Sequence, residues 1–295
     1  MIVAVVAHRK KTFGGGLDEL RRQITGQPGV AKLLWYEVPK SRKAGKKVRQ
    51  AVKDGADLLF VWGGDGMVQR SVDALASSDT KDDHDVDLAI VPAGTANLLA
   101  SNLGIPRDIA AAVEIGLHGR RRRLDLGNVN GEHFAVMAGA GFDAAMISDA
   151  GGSLKKRAGR LAYVATAVRH VRDQPIRVRI AVDGADWFDD DATCVLLGNV
   201  GTITGGIPAF DAEPDDGWLD VGVCTAQGAF EWSRTLGRMV AGQPNKSPFV
   251  RTTRAKAVDV KMDVPMTYEL DGGARDAVKR LKASIAPAAI TVRVR

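Results

Sequence analysis

Cysteine is nearly absent: Cys194 and Cys224 are the only two in 295 residues, and each lies inside an apolar run. That argues against a disulfide framework and suits buried thiols in a reducing compartment. Aromatic residues make up 5% of the chain. None is interleaved with the basic clusters at Arg42–Lys47, Arg120–Arg123 and Lys155–Arg157, and no recognised nucleic-acid module occurs, so nucleic acid is not an expected partner. The clusters suit phosphates or an anionic membrane surface, or they are solvated faces. Long apolar runs are missing as well. The opening "MIVAVVAHRKK" is too short for a membrane span, and its charges follow the apolar stretch where a signal peptide would have them first. The expectation is a soluble, cytoplasmic protein. Five histidines (His8, His84, His118, His133 and His170) show no metal-ligand spacing and read as structural or surface residues. Neither a linker nor an internal repeat is visible.

What the chain does contain is enough apolar material, 45%, to bury a real core, with a mild basic excess of +6. The first 120 residues alternate between two periods. Short β-rich runs stand at 2–7, 33–38, 58–62 and 88–92. Helical spacing fills Leu17–Ile24, Val48–Lys53, Val68–Leu75 and Ile109–Leu117. Alternation with continuous apolar strands predicts a parallel sheet covered on both faces. From about Leu124 the character changes. Strand-like runs follow at "HFAVMAG", "IRVRIAV", "CVLLGNV", "WLDVGVC", "AVDVKM" and "MTYEL", separated by the turn signals "VDGADW", "PDDGW" and "DGG". Two helices are expected among them, at Leu154–Val171 and near Ala229–Val240. This half reads as a mostly antiparallel sandwich or barrel packed closely against the first.

Two turns carry the chemistry. "LLFVWGGDGMVQR" ends an apolar strand in Gly63, Gly64, Asp65 and Gly66 and resumes as a helix near Met67. Glycines there let backbone N–H groups approach an anion, and the positive end of the helix points the same way. Asp65 either holds a cation such as Mg²⁺ beside phosphates or only caps the helix. A second turn follows the next strand in "LAIVPAGTANLLASNLGIP". Gly94 opens it, and Thr95 and Asn97 either reach a nucleotide or cap a helix. Neither turn matches the G-x-x-x-x-G-K-[ST] or G-x-G-x-x-G pattern. Two anion-binding turns on successive strands favour a nucleotide.

"GGDGM" followed some thirty residues later by "PAGTANLLASNLGIP" resembles the diacylglycerol kinase catalytic-domain family, which includes bacterial lipid kinases and sphingosine kinases. It is similar, more distantly, to NAD kinases and phosphofructokinases. "RRRLDLGNVNGEHFAVMAGAGFDA", "LKKRAGRLAYVATAVR", "EPDDGWLDVGV" and "YELDGG" extend the match along the chain. The resemblance implies an α/β nucleotide-binding domain over 1–124, a β-sandwich lipid-substrate domain over 125–286, and a last strand, 287–295, returning to the first domain. It also implies site residues. Gly63, Gly64, Asp65 and Gly66 would contact the phosphates of ATP, with Gly94, Thr95 and Asn97 completing the nucleotide site. Asp271 would be the general base, with Asp125 as its interacting aspartate. Asp216 would bind a structural Mg²⁺, the backbone carbonyls of Glu213 and Trp218 helping.

The family pattern is not kept everywhere. Met67 stands where a threonine is usual, Arg70 reverses the charge of an acidic residue, and "DGG" puts Gly273 in place of a glutamate. The usual Asn-Pro after the first strand becomes "AHRKKTFGGG", offering Lys10 or Lys11 to the phosphates. The expected function is an ATP- and Mg²⁺-dependent lipid kinase acting on diacylglycerol or a related lipid alcohol at the inner face of the membrane, a homodimer by family resemblance. The rivals are an NAD-kinase-like enzyme and a catalytically inactive nucleotide- or lipid-binding homologue.

Overall fold

The computed structural model describes residues 1–77, 85–141, 175–203, 207–241, 243 and 246–295. The helix expected at Leu154–Val171, the basic cluster Lys155–Arg157, His84 and His170 lie outside the described residues. The chain divides into two compact units, Met1–Leu124 with Ala288–Arg295, and Asp125–Pro287.

The first unit is an α/β layer structure. Its strands are β1 (Ile2–His8), β2 (Lys32–Val38), β3 (Leu58–Gly63) and β4 (Asp87–Pro92). They pair in parallel in the order β2-β1-β3-β4. β3 and β4 are buried along their whole length, as continuous apolar strands in a doubly covered sheet must be. The helices are α1 (Gly16–Ile24), α2 (Ala44–Lys53), α3 (Asp65–Ala76), α4 (Leu98–Asn102) and α5 (Ile109–His118). α1 and α2 bury Leu20, Ile24, Val48 and Val52, spaced three to four residues apart.

The second unit is built on antiparallel strands. β5 (Arg120–Val129) enters it, followed by β6 (Glu132–Phe134), β7 (Met137–Ala140), β8 (Ile176–Val182), β9 (Ala185–Ala192) and β10 (Cys194–Gly198). Two short strands, β11 (Thr202–Ile203) and β12 (Ile207–Pro208), pair with each other. β13 (Leu219–Cys224), helix α6 (Gly228–Val240), β14 (Val250–Ala255), β15 (Ala257–Leu270) and β16 (Gly273–Val294) complete it. The strand order is β14-β13-β10-β7-β15-β16, with the β8–β9 hairpin added on β15. The far end of β16 belongs to the first unit, where Val292 pairs in parallel with Leu88 of β4.

Several boundaries differ from the sequence expectation, each for a physical reason. The run "HFAVMAG" is two strands, because the N–H groups of Ala135 and Val136 leave the ladder for a carboxylate of Asp271. "AVDVKM" and "MTYEL" are one strand, β15, whose pairing with β16 shifts register around Pro265, which has no N–H to donate. "VDGADW" contains a hairpin turn at Asp183-Gly184 and then a strand, β9, whose acidic outer face hid it. The basic cluster Arg120–Arg123, expected as a membrane-facing or solvated loop, is the start of β5. Arg121 lies 2.8 Å from the buried carboxylate of Asp87, and Arg293 of β16 reaches the same carboxylate at 2.7 Å. Arg123 lies 3.3 Å from Asp85. These arginines fasten the returning strand within the first unit.

Candidate active site

In the first unit the two glycine turns lie against each other at the carboxyl ends of β3 and β4. A Cβ added to Gly94 would stand 2.3 Å from the Cα of Gly64, and one on Gly64 would stand 3.0 Å from the Cα of Gly94. Only glycine at both positions lets the backbones approach so closely. Gly63 has a different reason. The side chain of Met67, 2% exposed, folds back over it, and a Cβ there would meet Met67 Cγ at 2.4 Å. Thus Met67 fills space at the turn in place of a hydroxyl.

Asp65 braces the pair of turns. Its Oδ2 accepts from the N–H of Asn97 at 2.9 Å and its Oδ1 from the N–H of Leu98 at 2.5 Å. The carboxylate therefore caps α4, whose first amides lie 32 and 33 residues downstream, besides interacting with its own amide at the start of α3. Burial pushes its pKa up, opposed by those N–H donors and by the charge of Lys11. The N-terminus of α3 itself, with Gly64 at its cap, has no side-chain cap; Met67 N and Val68 N donate back to Gly64 O at 2.8 and 3.2 Å. Asn97 has a left-handed backbone (φ 51°). Its side chain closes the second turn, Oδ1 accepting from Gly94 N at 2.9 Å and Nδ2 donating to Gly94 O at 3.0 Å. These bonds close the turn and are not a helix cap: Asn97 stands at the N-cap of α4 but makes no side-chain cap hydrogen bond there. Thr95 stands exposed at the tip of that turn. Lys10 and Lys11, exposed, follow β1, and the carbonyl of Lys11 accepts from Trp62 Nε1 at 3.3 Å. Arg70 is half-buried on α3.

The second unit holds the three expected aspartates. Asp271 is 3% exposed and has a left-handed backbone (φ 48°). Its Oδ1 accepts from Val136 N and Met137 N, and its Oδ2 from Ala135 N, all at 2.9 Å. Its own N–H donates to Met137 O at 2.9 Å. Asp125, 5% exposed, accepts from Gly217 N on Oδ2 at 2.6 Å, and its N–H donates to Pro214 O at 2.7 Å. It is thereby stitched to the acidic turn that carries Asp216.

Sequence reasoning missed the residue that links the two aspartates. Asn199, 1% exposed, donates through Nδ2 to Asp125 O at 2.9 Å and to Ala135 O at 3.0 Å. Ala135 in turn donates to Asp271. One amide group thus fixes both aspartate-bearing segments in the same frame. The only signal was a polar residue at the end of the apolar run "CVLLGNV".

Glu132 was missed too. Its carboxylate pairs with Arg275, Nε to Oε2 at 2.8 Å and Nη2 to Oε1 at 2.5 Å. Arg275 Nη1 also donates to the carbonyl of Gly273 at 2.8 Å, and a Cβ on Gly273 would meet that nitrogen at 2.9 Å. The arginine thus lies where a side chain on residue 273 would begin, and Glu132 supplies its carboxylate from another strand.

Asp216 accepts from Trp218 N at 3.0 Å and is ion-paired with Arg254. Beside it, Asp220 Oδ2 is buried with no hydrogen-bond partner, 3.7 Å from Arg254 Nε. Burial first, then the nearby charges of Asp216 and Asp211, raise the Asp220 carboxyl to about 6, against the pull of Arg254. Among the described residues no group of three or more His, Cys, Asp or Glu side chains could hold a metal. Mg²⁺ needs only one or two protein carboxylates, because it keeps several waters. Asp216 and the orphaned oxygen of Asp220 meet that need, with Arg254 as the competing cation.

Comparisons with known proteins bear on the fold and the family. Residues 22–129 match the model of the diacylglycerol kinase catalytic domain, and residues 136–294 match the YegS C-terminal NAD kinase beta sandwich-like domain. A probable lipid kinase YegS-like protein of Pseudomonas aeruginosa is 30% identical over 295 residues, covering 98% of this chain and 93% of its own. A diacylglycerol kinase of Mycobacterium tuberculosis is 30% identical over 219 residues, 72% of this chain and 69% of its own. A crystal structure of a diacylglycerol kinase from Bacillus anthracis superposes with a TM-score of 0.76 over 100% of this chain and 97% of its own, at 23% identity, which speaks for the fold. With relatives 30% identical over most of their own length, and the two family models matching successive parts of the chain, it belongs to the diacylglycerol kinase catalytic-domain family of lipid kinases.

Proposed function

We propose that this lipid kinase transfers the γ-phosphate of ATP to the hydroxyl of diacylglycerol or a related lipid alcohol at the membrane surface. The observation that carries the nucleotide half is the uncapped N-terminus of α3, held against the Gly94 turn by Asp65. Gly63, Gly64 and Gly66 present backbone amides to the phosphates, Gly94 allows the second turn to approach, and Thr95 offers a hydroxyl. Asn97 acts by keeping that turn closed. Lys11, whose charge reaches Asp65, adds positive potential. In this reading the unit containing 1–124 takes the nucleotide, and the unit beginning at Asp125 takes the lipid.

Phosphoryl transfer passes through a loose transition state, so positioning and charge neutralisation matter more than strong basicity. Asp271 suits that demand: three amides hold its carboxylate in one orientation. It accepts the proton of the lipid hydroxyl as the new P–O bond forms, and Asp125 supports the same frame through Asn199. The test is purified protein with labelled ATP, Mg²⁺ and a panel of lipid alcohols in mixed micelles, with NAD alongside. A phosphorylated lipid is expected. Phosphorylated NAD alone, or bound ATP with no product, would overturn the proposal.

Mg²⁺, when bound, would neutralise charge at the acidic turn, held by Asp216 and Asp220. Added Mg²⁺ is expected to raise the melting temperature of the parent and to do so less for Asp216→Ala. Arg254→Met, which removes the competing cation, should enlarge the Mg²⁺ shift. Equal shifts in all three proteins would place the ion elsewhere.

A further inference from the structure

Among the described residues, helix α6 is anchored through one face. Trp232 and Leu236 are buried with Cys194 and Cys224, and Phe249 and Val250 pack against them. Thr235 Oγ1 meets Ser247 Oγ at 2.9 Å, also in the interior. The opposite face presents Phe230, Ser233, Arg234 and Gly237, all exposed, and Arg238 follows at its edge. Phe230 is 75% exposed, and among the described residues the only other large apolar side chain in water is Val264. A single exposed ring is ordinary by itself; here Phe230, Arg234 and Arg238 recur at i, i+4 and i+8, so the ring and two guanidinium groups share one stripe of the helix.

Charge indicates what that stripe meets. From Gly222 to Val258 the chain carries Arg234, Arg238, Lys246, Arg251 and Lys256, besides Arg254, whose charge is met by Asp216, against a single acidic residue, Glu231. Glu231 is turned toward the start of the helix, where its carboxylate accepts from Gln227 N at 2.7 Å. The apolar face of this helix is taken by the protein itself, so what the outer stripe offers a bilayer is one aromatic ring and two basic side chains, a charge complement to anionic headgroups. A second copy of the chain is a poorer occupant. An isologous contact centred on this face would gather Arg234 and Arg238 of both copies into one patch, four like charges together.

We infer that the outer face of α6 docks on an anionic lipid surface, Phe230 entering the headgroup boundary while Arg234 and Arg238 meet lipid phosphates. The inference rests on the lipid-kinase reading above, in which the substrate resides in a bilayer. None of these side chains belongs to the site already described, so docking and chemistry can be separated.

The experiment is cosedimentation with vesicles of phosphatidylcholine containing about one third phosphatidylglycerol, and with phosphatidylcholine alone. The parent should bind the anionic vesicles, lose affinity with added salt, and ignore the neutral ones. Phe230→Ser should weaken binding about tenfold. The double variant Arg234→Gln/Arg238→Gln should weaken it roughly thirtyfold, the factor two basic side chains near an anionic surface supply. Both variants should melt with the parent and turn over a dispersed short-chain diacylglycerol at the parental rate. Vesicle binding unchanged in both variants overturns the inference. So does loss of a dimer on size exclusion with Phe230→Ser while vesicle binding persists, which would mean that a second copy covers the ring. A parent that binds anionic vesicles through this face yet phosphorylates no lipid supports the docking surface and overturns the kinase reading instead.

Discussion

Asp271→Asn is expected to lower lipid phosphorylation by roughly 10²–10⁴-fold, the usual range for a lost proton acceptor, and to leave ATP affinity close to that of the parent. The left-handed backbone at 271 is no obstacle, since asparagine tolerates that region well. The hydrogen bonds are less forgiving. An amide has one acceptor oxygen. If it keeps Val136 and Met137, its NH₂ faces the N–H of Ala135, which the aspartate had accepted at 2.9 Å. A buried donor left unsatisfied costs roughly 1–3 kcal/mol. In a chain of this size that lowers the melting temperature by roughly 2–4 °C per kcal/mol. A modest fall in stability therefore accompanies the kinetic loss, and assays well below the transition separate the two. Asp125→Asn should lose less, because its amide oxygen can still accept from Gly217 N. The double variant should be little worse than Asp271→Asn alone, since Asn199 couples the two segments into one frame. Near-parental turnover by Asp271→Asn would move the base elsewhere.

The first unit of the fold was legible because its strands are apolar throughout and its helices carry their buried residues at regular spacing. β3 and β4 differ by at most one residue from the runs read in the sequence. The second unit was legible in kind and less so in detail. β9 escaped notice because "ADWFDDDA" puts Asp186, Asp189, Asp190 and Asp191 on or beside an exposed face, and β5 because four arginines open it. In both, strand formation is decided by ladder partners and ion pairs that are distant in sequence, which local propensity does not record. The aspartates themselves were found through motifs, but their partners were not. Asn199 lies 74 residues from Asp125, and Glu132 lies 143 residues from Arg275. Such pairings exist only once the sheet has formed.

The same limit applied to Asp65. Read locally, it was a cap for its own helix or a ligand for a cation. The structure gives its two oxygens to Asn97 and Leu98, so its first duty is to hold one glycine turn against the other. Two of the departures from the family pattern become intelligible in the same way. Met67 packs over Gly63, filling the turn with apolar atoms while leaving its backbone in the helix. Gly273 makes room for Arg275, whose charge is met by Glu132. Neither change removes a group that holds Asp65 or Asp271 in place.

The glycine turns permit a test that separates folding from ligand binding. A Cβ at Gly94 would stand 2.3 Å from the Cα of Gly64 and 2.7 Å from Asn97 Oδ1, so Gly94→Ala must push two backbones apart. Overpacking of this kind costs roughly 1–3 kcal/mol, and it would displace the amides meant for phosphate. Gly94→Ala should therefore melt several degrees lower and lose ATP affinity by more than tenfold. Gly64→Ala, whose Cβ would stand 3.0 Å from the Cα of Gly94, should show a milder form of both effects. Gly66 is different. Its added Cβ would meet Ser41 Oγ at 3.5 Å, an ordinary contact, and alanine favours the first turn of α3. Gly66→Ala should thus be as stable as the parent or slightly more so. If phosphates pack against this turn, the same methyl group should still weaken ATP binding, because it occupies the path of the ligand and not of the protein. Isothermal titration beside thermal melting reads both quantities. A Gly66→Ala protein with parental stability and parental ATP affinity would mean that the nucleotide lies against the Gly94 turn and not along the start of α3.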